Sequence, residues 1–351
     1  MRGLVVDARG ALSLEELPMP EIGAYQARVR MLACGVCNGT DQKLIHRAFK
    51  NFDSYPAVLG HEGVGEVVAV GERVRSLRLG DRVLLPFLEG MSGGFHSGWG
   101  AYAEYAVVGD AAAYAADGLA VPSQACLAQT VLQPQDRVDA VSATMIITFR
   151  EVLAATRRFG FAPNRSLIVY GCGPVGLSFI RFARLLGMGP VLAVDIEDGK
   201  VAAALAMGAD AAFNSTACDA DAALRAALPQ GADFVLDAVG VNALINRAMG
   251  LIADHGRICC YGISPELTMT LDWAPAPYNW SLHFVQWPAK AEEGEAHRQV
   301  MAWINLGVLD PAAFISDIIP FEEALRAFAL LAQKRPGTQK IVIDFTRAGG
   351  A

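Results

Sequence analysis

Short runs with a strand-like period dominate the first third of the chain. Leu4 to Asp7, Arg28 to Cys34, Gly63 to Val70, Arg82 to Pro86 and Ala103 to Val108 carry β-branched or alternating apolar residues. Pro18, Pro20, Gly23, Pro56, Gly80 and Gly90 fall between them and mark turns. The glycine-rich segment Met91 to Gly100 reads as a flexible loop, and the alanine-rich passage from Gly109 to Gln133 as an insertion of no assigned structure. A helical stretch runs from about Val141 to Phe159. The first region is therefore expected to form a β-rich domain.

From Arg165 the pattern changes. Leu167-Ile168-Val169-Tyr170 is a short strand apolar on both faces, as a parallel sheet covered by helices requires. A helix carrying Leu177, Ile180, Phe182, Leu185 and Leu186 follows, then the strand Val191 to Val194 and a helix from Lys200 to Met207. Further strands are expected near Ala211 to Phe213, Phe234 to Leu236 and Arg257 to Tyr261. Alternating strands and helices imply an α/β, doubly wound parallel-sheet domain. Between Ser264 and Ala289 proline and tryptophan accumulate, and a helix from about Glu293 to Leu306 and the segment Phe321 to Phe345 close the chain.

Composition narrows the function classes. At 351 residues the chain suits two domains, and its 53% hydrophobic content is ample for their cores. A net charge of -7 argues against nucleic acid or an anionic membrane as partner, since both need a basic footprint. The strand Met1 to Asp7 enters without an apolar signal core, which places the protein in the cytoplasm as an expectation. Ser166 to Ile180, the longest strongly apolar run, is broken by glycines and too short to span a bilayer. The cysteines, Cys34, Cys37, Cys126, Cys172, Cys218, Cys259 and Cys260, are scattered and odd in number, so no disulfide framework is expected and most read as small core residues.

Two constellations carry chemistry. Gly171-Cys172-Gly173-Pro174-Val175-Gly176 stands between an expected strand and an expected helix, and Asp195 ends the next strand nineteen residues later. In that context Gly171 serves a tight turn, Gly173 a close approach to a pyrophosphate, and Gly176 the packing of helix on strand. Pro174 and Val175 open the helix, whose N-terminal N–H groups suit the phosphates. Asp195 suits the adenosine ribose hydroxyls and opposes a 2′-phosphate, so NAD is expected over NADP. Lys200 stands near that ribose or on a solvated helix face.

The second constellation pairs Cys37 with His61 and Glu62, twenty-four residues on, inside Gly60-His61-Glu62-Gly63-Val64-Gly65. Thiolate, imidazole and carboxylate are zinc ligands, and a catalytic zinc needs three of them with a position left open. Each residue alone reads as core; their joint presence suggests a metal site.

Gly35-Val36-Cys37, Thr40-Asp41 and Gly60-His61-Glu62 with Gly65 and Gly71, followed by the glycine loop, resemble the zinc-dependent medium-chain dehydrogenase/reductase family, in its sorbitol/cyclitol dehydrogenase-like branch. The resemblance covers nearly the whole chain. It implies a GroES-like catalytic domain over 1–148 and 306–351 and a Rossmann NAD-binding domain over 149–305, with the active site in the cleft between them. It also implies a homodimer or homotetramer joined near Ser264 to Val285, and one catalytic zinc on Cys37, His61 and Glu62. Many relatives carry a four-cysteine zinc lobe; no cysteine lies between Cys37 and Cys126, so no structural zinc is expected. An alternative third ligand in the family falls at Ile147, which cannot coordinate; Ile146 and Thr148 beside it offer no strong ligand.

The family role of proton relay falls to Thr40, and that of orienting the zinc histidine to Asp41. Here Cys37-Asn38-Gly39-Thr40-Asp41 is one residue longer than the usual spacing, and Gly39 is expected to absorb it as a local turn. Lys43 and His46 read as a continuing proton path or as surface residues, and Trp99, Trp273, Trp280 and His283 as pocket, dimer-contact or core residues. The implied reaction is hydride transfer between a secondary alcohol, of polyol, cyclitol or amino-sugar type, and NAD. Two other readings stay open: a zinc-free reductase of an activated double bond or quinone, and a catalytically silent NAD-binding structural or regulatory protein.

Overall fold

The computed structural model describes residues 1–90, 93–333 and 335–347. The chain divides into two compact units, Met1–Arg150 with Ala289–Ala351, and Glu151–Pro288.

The first unit opens with β1 (Arg2–Val6), β2 (Leu12–Glu16), β3 (Gln26–Gly35) and α1 (Asn38–Ile45). It continues with β4 (Ala57–Val58), β5 (Glu62–Val70), β6 (Arg82–Leu84), β7 (His96–Ser97), β8 (Tyr105–Gly109), α2 (Ala111–Ala116), β9 (Thr130–Val131) and α3 (Ala140–Phe159). The division between units falls within α3.

In the second unit β10 (Leu167–Tyr170), α4 (Pro174–Leu185), β11 (Val191–Asp195), α5 (Asp198–Ala206) and β12 (Ala211–Asn214) are followed by α6 (Ala220–Ala227), β13 (Ala232–Asp237), α7 (Asn242–Met249), β14 (Ile252–Cys260) and β15 (Trp280–Phe284). The chain then adds α8 (Lys290–Asn305), β16 (Ile315–Pro320), α9 (Ala324–Ala332) and β17 (Lys340–Asp344) to the first unit.

Two sheets build the first unit. One runs β2-β1-β4-β7, and the other β16-β17-β3-β5-β6-β9 with β8 paired to β3. Alternation along β3 turns Ala27, Val29, Met31 and Ala33 into the core with Leu4, Val6, Leu59, Val67 and Tyr102. The register sets the site: Gly35 faces Glu62 on β5 and Val342 on β17, so the start of β5 and the middle of β17 flank one residue of β3.

The second unit holds a sheet in the order β12-β11-β10-β13-β14-β15, with every pairing parallel. Counted from β10 this is 3-2-1-4-5-6, the doubly wound arrangement whose ligands lie outside the carboxyl ends of the strands where the order reverses. β10 is buried at every position, as its unbroken apolar run requires.

Three expectations need correction. The helix at 290–305 belongs to the first unit, although 149–305 was assigned to the nucleotide domain. It packs so closely on the turn at Leu127 that a Cβ on Gly294 would meet the Leu127 carbonyl at 2.3 Å, and Asn305 donates to Asp136 at 2.9 Å. The segment 91–100 is also more than a loop. Met91 and Ser92 lie outside the described residues, but His96–Ser97 pair with β4 because the Pro56 and Val58 carbonyls accept from His96 and Gly98 N–H. The passage after Gly109 forms α2, whose N-cap Asp110 accepts from Ala113 N–H at 2.9 Å and from Arg75 and Ser76 N–H at 2.7 Å each.

Candidate metal centre and nucleotide-binding turn

Cys37 leaves the end of β3 and stands at the N-cap of α1. His61 immediately precedes β5 and Glu62 opens it, after Gly60, whose φ of +99° and 2.6 Å clearance from the Tyr102 nitrogen admit only glycine. A Cβ on Gly35 would sit 2.3 Å from Glu62 Oε2, so the glycine makes room for the carboxylate. These turns bring the Cys37 thiol, one His61 ring nitrogen and a Glu62 oxygen within 4.8 Å of one another.

Asp41, fully buried in the first turn of α1, backs this group. Its Oδ2 accepts from Cys37 N–H at 3.0 Å and from the Tyr102 hydroxyl at 2.6 Å. Its Oδ1 has no hydrogen bond and lies 3.6 Å from His61 Nδ1, which has none either. Two orphaned buried atoms thus face each other behind the candidate ligands. A carboxylate behind one ring nitrogen of a metal-binding histidine is how such a ligand is oriented.

Glu62 has partners the sequence reading missed. Lys340 Nζ at the start of β17 donates to Oε1 at 2.8 Å and Oε2 at 2.6 Å, and the Thr148 hydroxyl donates to Oε1 at 3.1 Å. The Lys340 and Glu62 side chains are 4% and 6% exposed, so this ion pair is dry. Thr148 is therefore a partner of Glu62 rather than a ligand, and Ile147 is core. The one signal for Lys340 was a charge opening the apolar run Ile341-Val342-Ile343.

The charges of the group act on one another. Burial disfavours a charged His61, but Cys37, Asp41 and Glu62 outweigh it and raise the imidazole to about 9. Burial likewise opposes the Glu62 anion, yet Lys340, His61 and Thr148 hold it below the usual carboxylate range. Burial raises Asp41. Three acidic groups converging on one imidazole favour positive charge at that point, and a divalent cation fits the thiolate, imidazole and carboxylate set.

Thr40 is buried in the same first turn of α1. The extra residue is not absorbed by a turn at Gly39: α1 starts directly at Asn38, so all four residues from Asn38 to Asp41 wind into its first turn. Lys43 Nζ donates to the Gly39 carbonyl at 3.1 Å, and His46 caps the helix. A cavity of about 230 Å³ is lined by Phe52, Phe87, Glu89, Ser97 and Trp99. The Trp99 ring is 5.3 Å from that of His61 and meets Phe49 edge-on at 5.6 Å. Trp273 is 64% exposed in the second unit, where Trp280 and His283 lie on β15.

The glycine turn in the second unit separates its three roles. Gly171 has φ +91°, and a Cβ on Gly176 would sit 1.8 Å from the Gly171 carbonyl oxygen. A Cβ on Gly173 would meet nothing within 4 Å, which leaves the backbone there open to a ligand. Pro174 takes the first position of α4 after the N-cap Gly173, and the first helical bond runs from Leu177 N–H, so Val175 and Gly176 precede it. Asp195 ends β11, where Oδ2 accepts from Cys172 N–H at 2.7 Å and Oδ1 from Ile196 N–H at 2.7 Å. Lys200 is engaged by Glu197 at 2.8 Å.

A metal-binding β-rich unit followed by a dinucleotide-type parallel sheet defines a class, the nicotinamide-linked metal dehydrogenases. Comparison with known proteins specifies it. The model of the alcohol dehydrogenase GroES-like domain matches residues 23–117, and that of the zinc-binding dehydrogenases residues 174–284. L-idonate 5-dehydrogenase of Vitis vinifera and sorbitol dehydrogenase of Arabidopsis thaliana are each 27% identical over 278 residues, 76% of this chain and 74% of theirs. The solved alcohol dehydrogenase TADH from Thermus sp. ATN1 superposes with a TM-score of 0.81 at 25% identity, over 98% of this chain and 99% of its own. The chain belongs to the zinc-dependent medium-chain alcohol and polyol dehydrogenases, and is an alcohol dehydrogenase of GroES-like and Rossmann-like architecture. Among the described residues no helix is long and apolar enough to cross a membrane.

Proposed function

We propose that the protein oxidises a secondary alcohol of polyol, cyclitol or amino-sugar type with NAD, reversibly, at one catalytic zinc held by Cys37, His61 and Glu62, with no structural zinc. The observation that carries this reading is the convergence of these three donors within 4.8 Å, backed by Asp41. Zinc bound there supplies Lewis acidity, which polarises a substrate oxygen and eases loss of its proton. Asp41 orients His61, Thr40 relays the hydroxyl proton by accepting it as its own passes on to water, and the Trp99 ring keeps water from one side of His61.

Gly171, Gly173, Pro174, Val175 and Gly176 receive the pyrophosphate. Asp195 accepts from the ribose on the Oδ2 lone pair left over once Cys172, Ile196 and Glu197 N–H have taken the other three positions. Its negative charge supports NAD over NADP. Lys200, paired with Glu197, acts on the ribose only through that carboxylate's neighbourhood. The polyol reading is supported by the idonate and sorbitol dehydrogenases among the relatives. Seven free thiols suit a reducing cytoplasm.

Self-association is part of the proposal. β15 is an edge strand with Phe284 half exposed, and edges of this kind pair with a second copy.

The test is elemental analysis of purified wild type and Cys37→Ser. About one zinc per chain, lost in the variant together with NAD-linked oxidation of polyols, is the expected outcome. Protein prepared without chelator that carries no zinc refutes the reading.

A further inference from the structure

The cavity lined in part by Trp99, whose ring lies 5.3 Å from that of His61, has an unusual lining for a site that takes only hydroxyl groups. Three of its five lining residues, Phe52, Phe87 and Trp99, are aromatic, and its polar groups are Ser97 and a single carboxylate, Glu89. Recognition of a neutral polyol needs several placed donors and acceptors, because each buried hydroxyl must exchange its water bonds for protein ones. Aromatic faces do little for a hydroxyl. They attract a cation through the ring quadrupole, most strongly for tryptophan, and an ammonium is further held by a carboxylate.

The tryptophan is held firmly. Trp99 adopts φ +69°, a conformation that a bulky residue takes only when its surroundings impose it. Here the imposition comes from the Trp99 carbonyl accepting from Leu88 N–H at 2.8 Å and from the ring contacts to Phe49 and His61. The same Leu88 hydrogen bond ties the backbone of Trp99 to the residue preceding Glu89. Glu89 itself is exposed and forms no ion pair among the described residues, so its charge is available to a ligand.

We propose that this cavity is a cation subsite: the preferred substrate is an amino alcohol whose protonated amine lies against Trp99 with Glu89 as counter-ion, while its hydroxyl-bearing carbon is directed to the metal centre. Glu89 is then the specificity-determining residue that separates amino polyols from plain polyols. This inference rests on the zinc alcohol dehydrogenase reading above and deepens it.

The test compares a matched pair, 2-amino-2-deoxyglucitol and sorbitol, which differ by an ammonium in place of one hydroxyl. In the zinc- and NAD-loaded wild type, kcat/KM for the amine is expected to exceed that for sorbitol by about tenfold or more, mostly through KM. In Glu89→Gln that ratio falls to near unity, and Glu89→Asp restores part of it. A wild-type ratio at or below one, or a ratio that Glu89→Gln leaves in place, overturns the proposal.

Calorimetric titration separates this outcome from failure of the parent reading. If neither compound is oxidised, the assignment of the alcohol chemistry fails, and the subsite is judged by binding alone. Amine binding about tenfold tighter than sorbitol binding in wild type, lost in Glu89→Gln, supports it. Equal binding, or none, overturns it.

Discussion

Replacing Lys340 by Met tests how the site is held. The substitution keeps the length of the apolar stem and removes the ammonium that meets both oxygens of Glu62 at 2.8 and 2.6 Å. Only the Thr148 hydroxyl, at 3.1 Å, would remain to a carboxylate whose side chain is 6% exposed. Breaking a buried pair from one side costs about 3–5 kcal/mol. An upper limit follows from protonation, since the stranded carboxyl takes a proton when that costs less; from an ordinary pKa of about 4.3, doing so at pH 7 costs about 3.7 kcal/mol. The expected loss in chelator-treated protein is therefore about 3–4 kcal/mol at pH 7. Denaturant titration, followed on the transition of the unit that contains β17, measures it, and Glu62→Gln in the same chain recovers most of the loss because an amide can lie neutral beside Thr148. A loss below about 1 kcal/mol, or a double variant no more stable than Lys340→Met, would refute the argument that this pair is dry and mutually dependent.

Further outcomes follow from the nucleotide turn and the first unit. Gly176→Ala forces a Cβ to within 1.8 Å of the Gly171 oxygen and is expected to lower stability by about 3 kcal/mol or more, whereas Gly173→Ala meets no protein atom and should fold within about 0.5 kcal/mol of wild type while weakening dinucleotide binding; thermal melts with and without NAD read both. Asp195→Ser is expected to shrink the preference for NAD over NADP, measured as the ratio of the two dissociation constants. Asp110→Asn should cost about 1–3 kcal/mol, because an amide cannot satisfy the Arg75, Ser76 and Ala113 N–H groups that the carboxylate accepts. Burial pushes against the Asp110 anion, but the Ser76 and Arg75 bonds prevail and hold its pKa below the ordinary value. Its contribution is thus present above about pH 4 and lost as pH falls through the depressed folded value, so the gap between wild type and Asp110→Asn closes in acid.

How much of this was legible follows from how far apart the cooperating residues lie. The glycine turn could be read because strand end, turn, close approach and helix packing are requirements of six successive residues, and the structure meets each at Gly171, Gly173 and Gly176. Cys37, His61 and Glu62 could be read because their chemistry is distinctive even when separated. Lys340 lies 278 residues from Glu62 and Thr148 lies 86 away, and no local pattern encodes a meeting that depends on β17 and β5 both pairing with β3. The same limit explains the helix at 290–305. Its period is that of any amphipathic helix, and only the contact of Gly294 with the Leu127 turn decides which unit it joins. Two residues of β7 present no period at all.

The Lys340 contact bears directly on whether Glu62 is free to be a third ligand. An ionised carboxylate has about four lone-pair positions, two on each oxygen. Lys340 takes one on each, and Thr148 takes a second on Oε1, so Oε2 keeps one position unclaimed. Coordination through Oε2 therefore does not require Lys340 to leave, and leaving would strand an ammonium that is 4% exposed. The lysine is better understood as holding Glu62 ionised and fixed in direction, as Asp41 and Tyr102 do for the other side of the group. On the proposed ligand set, neutralising Glu62 removes a ligand and takes the counter-charge, though not the last hydrogen bond, from Lys340. Glu62→Gln should accordingly lose zinc with a smaller fall in stability than Lys340→Met causes, since the glutamine carbonyl still accepts from the lysine.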